Sequence, residues 1–243
     1  MMKLPLRAMV LCAGRGERMR PLSDACPKPL LEVAGASMLD RMLDRLTGCE
    51  LVVVNGWHLA DRIERHLAER SGRPRTLFLR EGILLDTGGG VANALPHLGA
   101  APFLVCNGDV LITHGEQSPV DRLAAAWDDA AMDALMLLQP RESAGGFRGK
   151  GDFFRRDDGS LWRDRDAPAM PLVYASMQIV HPRLLDDAPE GPFGFNLLWD
   201  RAMARGRLHG IVHDGGWFTV DTPENLASAP DWLARQGERG HGV

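Results

Sequence analysis

The stretch Leu11-Cys12-Ala13-Gly14-Arg15-Gly16-Glu17-Arg18-Met19-Arg20-Pro21-Leu22, followed by Pro27-Lys28-Pro29, decides how the rest of the chain is read. It continues the apolar run Arg7–Cys12 (RAMVLC), so a buried strand feeds directly into Gly14 and Gly16. Glycines at such a turn leave room for the close backbone approach that phosphates need. Arg18 offers a forked guanidinium to phosphate oxygens, and Lys28 a mobile point charge. Two common glycine-rich phosphate sites do not fit. The dinucleotide fingerprint G-x-G-x-x-G has Met19 at its third glycine, and Asn55 rather than an acid ends the second strand. No Gly-Lys-Ser/Thr follows, which removes the P-loop. The bland reading of a bare glycine pair is a tight turn with solvated charges.

Working outward, short apolar runs alternate with amphipathic stretches. Leu51–Val54, Thr76–Leu79 and Phe103–Cys106 read as strands, the last ending at Asn107-Gly108-Asp109. Ser37 is placed to cap a helix with Met38, Leu39, Met42, Leu43 and Leu46 on one face. A second helix covers about 59–69, and a short one follows Gly88–Gly90. This alternation predicts an α/β fold with a mostly parallel sheet. Past Asp133 the rhythm changes. Strands are expected at Ala134–Leu138, Leu172–Val180 and Leu208–His213, and helices at Asn196–Arg205 and Pro223–Gln236. Asp157-Asp158-Gly159 marks a hairpin, and the tail from Gly237 is expected to fray. The expectation is a single domain over 1–243, with a substrate-facing elaboration at about 140–200.

The chain has 243 residues, 28 Lys+Arg against 32 Asp+Glu, and 45% hydrophobic residues, so a sizeable core is possible. The slightly acidic balance and 6% aromatics argue against a nucleic-acid partner. Four scattered cysteines without a C-x-x-C pair argue against zinc or a disulfide framework and suit a reducing, cytoplasmic setting. Eight histidines show no ligand spacing, and the alternating charges of Arg163–Asp166 read as a solvated loop. The apolar start has an unbroken run of only Ala8–Ala13, shorter than the ~7–15 residues of an export signal. No stretch approaches the ~18 apolar residues of a membrane span, so no membrane partner is expected. Oligomeric state is not legible.

With Leu85-Asp86-Thr87-Gly88-Gly89-Gly90, Asn107-Gly108-Asp109-Val110 and Gly149-Lys150-Gly151-Asp152-Phe153, the opening string resembles the sugar-1-phosphate nucleotidyltransferases. The likeness runs over about Arg7 to Leu226 and is most similar to a short branch that uridylylates N-acetylmuramic acid 1-phosphate in cell-wall sugar recycling. The resemblance implies a three-layer Rossmann-like nucleotidyltransferase fold with a mostly parallel, mixed central sheet. It implies transfer from a nucleoside triphosphate, UTP by this branch, to a sugar 1-phosphate, with release of pyrophosphate and assistance by Mg²⁺. Such chemistry depends on positioning and charge neutralisation. On that resemblance Ala13, Gly14, Gly16 and the Glu17 backbone cradle the triphosphate, Arg18 neutralises the departing pyrophosphate, and Lys28 holds the two reacting phosphates together. Gly88 meets the nucleobase, Asn107 and Asp152 meet the sugar, and Asp109 holds the metal.

Each role has a plainer competitor. Asp109 and Asp152 sit where aspartates often form turns, and glycines at Gly88–Gly90 can simply open a helix. Asp109 ends a buried strand at the sheet edge where α/β proteins place ligands, and one or two carboxylates with phosphate oxygens are what Mg²⁺ takes. The second carboxylate is where the sequence departs from the family, whose Trp-x-Asp-x-Gly-Thr pattern puts Thr219 at the aspartate position. Strand alternation leaves Thr219 and Asp221 on one face, so Asp221 is the replacement ligand or else the cap of the terminal helix. Two rivals stand beside the main reading. One is a nucleotidyltransferase for a hexose, heptose or phosphocholine. The other is a nucleotide-binding regulatory protein without turnover, motivated by Thr219.

Overall fold

The computed structural model describes residues 7–240, the side chains of 238–240 excepted; residues 1–6 of the apolar start and 241–243 of the tail lie outside it. The first half contains β1 (Arg7–Leu11), α1 (Leu22–Ala25), β2 (Glu32–Val33), β3 (Ala36–Ser37), α2 (Met38–Arg45), β4 (Leu51–Gly56), α3 (Ala60–Glu69), β5 (Arg75–Arg80), α4 (Asp86–Leu98) and β6 (Phe103–Asn107). There follow β7 (Val110–Ile112), α5 (Pro119–Ala126), β8 (Ala134–Pro140), β9 (Phe154–Arg155), β10 (Leu161–Trp162), β11 (Leu172–Val180), α6 (Asn196–Ala204), β12 (Leu208–Val212), β13 (Trp217–Thr219) and α7 (Pro223–Gly240).

The central sheet has seven strands in the order β12-β8-β11-β6-β1-β4-β5. All its pairings are parallel except those of β11, which is antiparallel to both neighbours. It is the mostly parallel, mixed sheet that the alternation implied. Successive residues of β1 and β4 point to opposite faces. Ala8, Val10, Val52 and Val54 pack with Leu39, Met42, Leu43, Ile63 and Leu123 from α2, α3 and α5. Met9 and Val53 pack with Val91, Ala94, Leu198 and Ala202 from α4 and α6. Helices on both faces make three layers. Ser37 caps α2 as expected, its hydroxyl accepting from Asp40 N at 3.0 Å.

Several elements depart from the sequence reading. Helix α5 and the small ribbons β2–β3 and β7–β13 were not expected; the ribbon strands are two or three residues long and carry too few residues to show a period. Helix α7 continues through Gly240, past the expected end and the supposed fraying at Gly237. Arg163 is not part of a solvated loop. Its guanidinium is largely covered and bonds Asp200 and Asn196 of α6, tying the β9–β10 hairpin to that helix.

Candidate active site

Strand β1 has β4 on one side and β6 on the other, so the connections leaving its two neighbours run in opposite directions. The crevice at this switch point is where an open α/β sheet binds ligands. Leu11 is in register with Asn107, and Gly108 N donates to Leu11 O at 3.1 Å. The loop after β1 and the Asn107-Gly108-Asp109 turn after β6 therefore lie side by side.

The glycine-rich turn is held from three directions. Gly16 has φ +63°, and a side chain there would crowd Lys28 Cβ and Ser23 Cβ at 3.2 Å each. It opens a short 3₁₀ turn, Glu17–Met19, whose Met19 is fully buried against Phe218, Val220 and Trp232 beneath α7. The residue that spoils the dinucleotide fingerprint is thus a core anchor. From β4, Asn55 Oδ1 accepts from Cys12 N at 2.8 Å, while its Nδ2 donates to the buried Glu81 at 2.6 Å. From α1, Ser23 O lies 2.8 Å from His58 Nε2.

Around the turn lies an open cavity of about 470 Å³, lined among others by Gly14, Gly16, Glu17, Arg18, Lys28, Asp109 and Asp221. A Cβ on Gly14 would meet no protein atom within 4 Å, so the space beside that backbone is free for a ligand. A second cavity of about 320 Å³ shares Gly14, Leu84 and Asp109 and adds Ala13, Asn55, Asp86, Thr87 and Asn107. The two together make a trough of nucleotide dimensions. Most residues picked from the sequence meet here.

Lys28 Nζ donates to Asp109 Oδ2 and to Asp221 Oδ1, both at 2.7 Å. Burial alone would lower the pKa of this ammonium, but the two carboxylates outweigh it and hold the value above that of ordinary lysine. Burial would likewise raise the Asp221 carboxyl, yet Lys28, the Thr219 hydroxyl and Arg18 together bring it below the aspartate range. Arg18 Nη2 lies 3.3 Å from Asp221 Oδ1 with most of its side chain exposed. Asp221 does not cap the terminal helix. Thr222 does, its hydroxyl accepting from Asn225 N at 3.3 Å.

Two of the sequence assignments change. Helix α4 starts at Asp86, ahead of the glycines, and the Gly88 and Gly89 amides both donate to Phe193 O, at 2.9 and 3.1 Å. Gly88 is buried and its amide is spoken for, so it does not present a donor to a base. The residues of that loop that line the trough are Leu84, Asp86 and Thr87. Asp152 is not among the residues lining either cavity. It accepts from Tyr174 N at 2.9 Å, beside the irregularity in β11, and burial raises its pKa. Asn107, the other sugar candidate, is on the trough wall and reaches Ser176 Oγ at 3.4 Å. Sequence reasoning passed over Asn55, Glu81 and Thr87. The Thr87 hydroxyl accepts from Phe195 N at 2.9 Å and so joins the first turn of α4 to the segment before α6.

A metal ion here has two carboxylates to work with. Among the described residues no group of three or more His, Cys, Asp or Glu side chains is placed to hold one. The donor set fits Mg²⁺, whose remaining oxygens come from phosphates and water. Asp109 and Asp221 already converge on a single positively charged atom.

The sequence matches the MobA-like NTP transferase domain over residues 8–174. An N-acetylmuramate alpha-1-phosphate uridylyltransferase of Caulobacter vibrioides is 41% identical over 241 residues, covering 96% of this chain and 99% of that protein. One from Neisseria meningitidis serogroup B is 32% identical over 229 residues, covering 92% and 96%. The inositol-1-phosphate CTP transferase of T. maritima shares the fold, with a TM-score of 0.76 at 16% identity, covering 100% of this chain and 99% of that one. With a nucleotide-sized trough at the switch point and a domain match spanning most of the sheet, the chain belongs to the MobA-like NTP transferase family.

Proposed function

We propose that this protein transfers the uridylyl group of UTP to N-acetylmuramic acid 1-phosphate, giving a nucleotide sugar and pyrophosphate. A phosphate oxygen of the sugar 1-phosphate attacks the α-phosphorus, and the bond to the bridging oxygen of the β-phosphate breaks, so pyrophosphate leaves with that electron pair. The observation that carries the reading is Lys28 gripped between Asp109 and Asp221 beside the glycine-rich turn. Two relatives of nearly equal length bearing the uridylyltransferase name support the choice of substrates.

The residues act by placement and charge. The Gly14–Glu17 backbone receives the triphosphate, and Arg18 at the open side meets the charge growing on the leaving pyrophosphate. Lys28 brings one ammonium to the attacked and attacking phosphates, which otherwise repel each other. Asp109 and Asp221 would hold Mg²⁺, which supplies further neutralisation of phosphate charge when bound. Thr87 and Leu84 flank the base, and Asn107 faces the sugar. The inactive-binder alternative rested on Thr219. Asp221, two residues on, meets the same ammonium as Asp109, which supports a site with two carboxylates.

We place the reaction in the cytoplasm, as a step of cell-wall sugar recycling. None of the helices among the described residues is long and apolar enough to cross a membrane. The test is a pyrophosphate-release screen of four nucleoside triphosphates against a panel of sugar 1-phosphates, with and without Mg²⁺. Release with UTP and N-acetylmuramic acid 1-phosphate above all other pairs is expected. Preference for a hexose, a heptose or phosphocholine would replace the acceptor, and no release with any pair would leave a binding protein.

A further inference from the structure

Three cations line the 470 Å³ cavity: Arg15, Arg18 and Lys28. Two of them face carboxylates, Lys28 at 2.7 Å from Asp109 and Asp221, and Arg18 at 3.3 Å from Asp221. Arg15 is different. Among the described residues no carboxylate lies within ion-pair distance of it; its Cζ sits 4.8 Å from the ring centroid of Trp57. We propose that Arg15 binds the β- and γ-phosphates of the nucleotide, and that Trp57 is the positioning residue that holds it over the cavity. The proposal deepens the nucleotidyl-transfer reading and rests on it.

The argument is one of orientation and charge. Stacking engages the face of a guanidinium and leaves its in-plane N–H donors unspent, so a stacked arginine is pointed without being neutralised. An arginine paired with a carboxylate has part of its charge offset, whereas Arg15 brings its full charge to the cavity. Glu17 also lines the cavity and adds a negative charge that a polyphosphate must overcome, which increases the need for a further cation.

Trp57 is well placed to act as a support. It leaves β4 between Asn55, bonded to Cys12 N at 2.8 Å, and His58, whose Nε2 is 2.8 Å from Ser23 O. The end of β4 and the residues just after it therefore meet the glycine-rich segment at Cys12 and Arg15, and α1 at Ser23. Arg15 itself lies between Gly14 and Gly16, where the backbone is set by the φ of +63° at Gly16. The exposed side chain thus starts from a defined turn and rests against the indole.

The test is calorimetric titration of inorganic pyrophosphate, UTP and UMP into the full chain without sugar phosphate, for wild type, Arg15→Ala, Trp57→Leu and Trp57→Phe. Arg15→Ala should weaken pyrophosphate and UTP by about tenfold or more, the scale of a lost charge-assisted contact, and leave UMP within about twofold. Trp57→Leu should weaken both polyphosphates by about threefold, and Trp57→Phe should restore them, since either aromatic face can carry the guanidinium. Unchanged pyrophosphate affinity in Arg15→Ala would overturn the proposal, as would an equal loss for UMP, which would point to a distorted turn. If Trp57→Leu matches wild type, the positioning role falls. If wild type binds neither UTP nor pyrophosphate, the nucleotidyl-transfer reading fails with it.

Discussion

Lys28 and Asp221 stand 193 positions apart in sequence and 2.7 Å apart in space. The contact ties the glycine-rich half of the site to the segment that follows the last strand. Asp221 reaches it because β13 pairs with β7, and β7 begins one residue after Asp109. A small antiparallel ribbon beside the main sheet is what brings the two aspartates to one ammonium.

Replacing that ammonium should be felt in both stability and turnover. Lys28→Met leaves the Asp109 and Asp221 carboxylates facing each other without a cation between them. The variant should have a lower Tm than wild type, and Mg²⁺ should raise its Tm more than it raises that of wild type. Its kcat should fall and its KM for the sugar phosphate rise. Calorimetry with and without Mg²⁺, beside steady-state kinetics, checks this. A change confined to nucleotide affinity would move Lys28 to the triphosphate tail.

The two carboxylates are separable. Asp109→Asn should abolish Mg²⁺-dependent turnover, and Asp221→Asn should require much more Mg²⁺ for half-maximal rate. Because Thr222 provides the helix cap, any fall in Tm of Asp221→Asn comes from the lost ion pair with Lys28 and not from helix capping. A Mg²⁺ titration of Asp221→Asn that overlays wild type would remove it as a ligand.

Gly88 owes its identity to packing. A Cβ there would lie 2.3 Å from Phe193 Cε2 and 2.9 Å from Phe193 O. Gly88→Ala should therefore cost about 1–3 kcal/mol of stability, the range for forcing extra atoms into a packed site. A denaturant midpoint equal to wild type would show that the 191–195 segment yields freely.

Asp133 offers a test by pH away from the active site. Arg183 Nε and Arg207 Nε both donate to its Oδ1, at 2.7 and 2.8 Å. Burial would raise its pKa, but the two arginines outweigh this and hold it below the ordinary aspartate value. The folded value lies under the unfolded one, so the stabilisation is complete above the unfolded pKa of about 4 and is lost as pH falls through the folded value. Asp133→Asn should cost roughly 2 kcal/mol at pH 7, and the gap should narrow below about pH 4. A gap that persists undiminished at about pH 2 would contradict the ion-pair account.

The legible part of the fold was the part with long, regular periods. The Ser37-capped helix could be read because burial on one face repeats along it, and Leu172–Val180 because a strand buried on both faces leaves a long, mainly apolar run. Strands β7 and β13 could not, since three residues such as Trp217–Thr219 carry no period and pair through contacts more than a hundred positions away. In the site, Arg18, Lys28 and Asp109 were picked out by the resemblance of the motifs around them to the nucleotidyltransferases, since a solvated charge or a turn aspartate was the plainer reading of each residue alone. Asp221 was ambiguous for a local reason: an acid before Thr-Pro-Glu also suits a helix cap, and only the fold shows that Thr222 caps the helix while Asp221 faces the distant Lys28. Gly88 misled because glycine required by a neighbouring carbonyl and ring looks the same in sequence as glycine required by a ligand. Arg15 and Trp57 left no signal, because their pairing is set by two loops from different strands.

The central claim is nucleotidyl transfer, and ³¹P NMR of one reaction mixture tests it most directly. With UTP, N-acetylmuramic acid 1-phosphate, Mg²⁺ and catalytic protein, the account predicts loss of the triphosphate and sugar-phosphate signals together. A diphosphate diester and free pyrophosphate should appear in equal amounts, with no build-up of UDP or inorganic phosphate. UTP loss that yields UDP and phosphate, or unchanged spectra with every nucleotide and sugar phosphate tried, would contradict it.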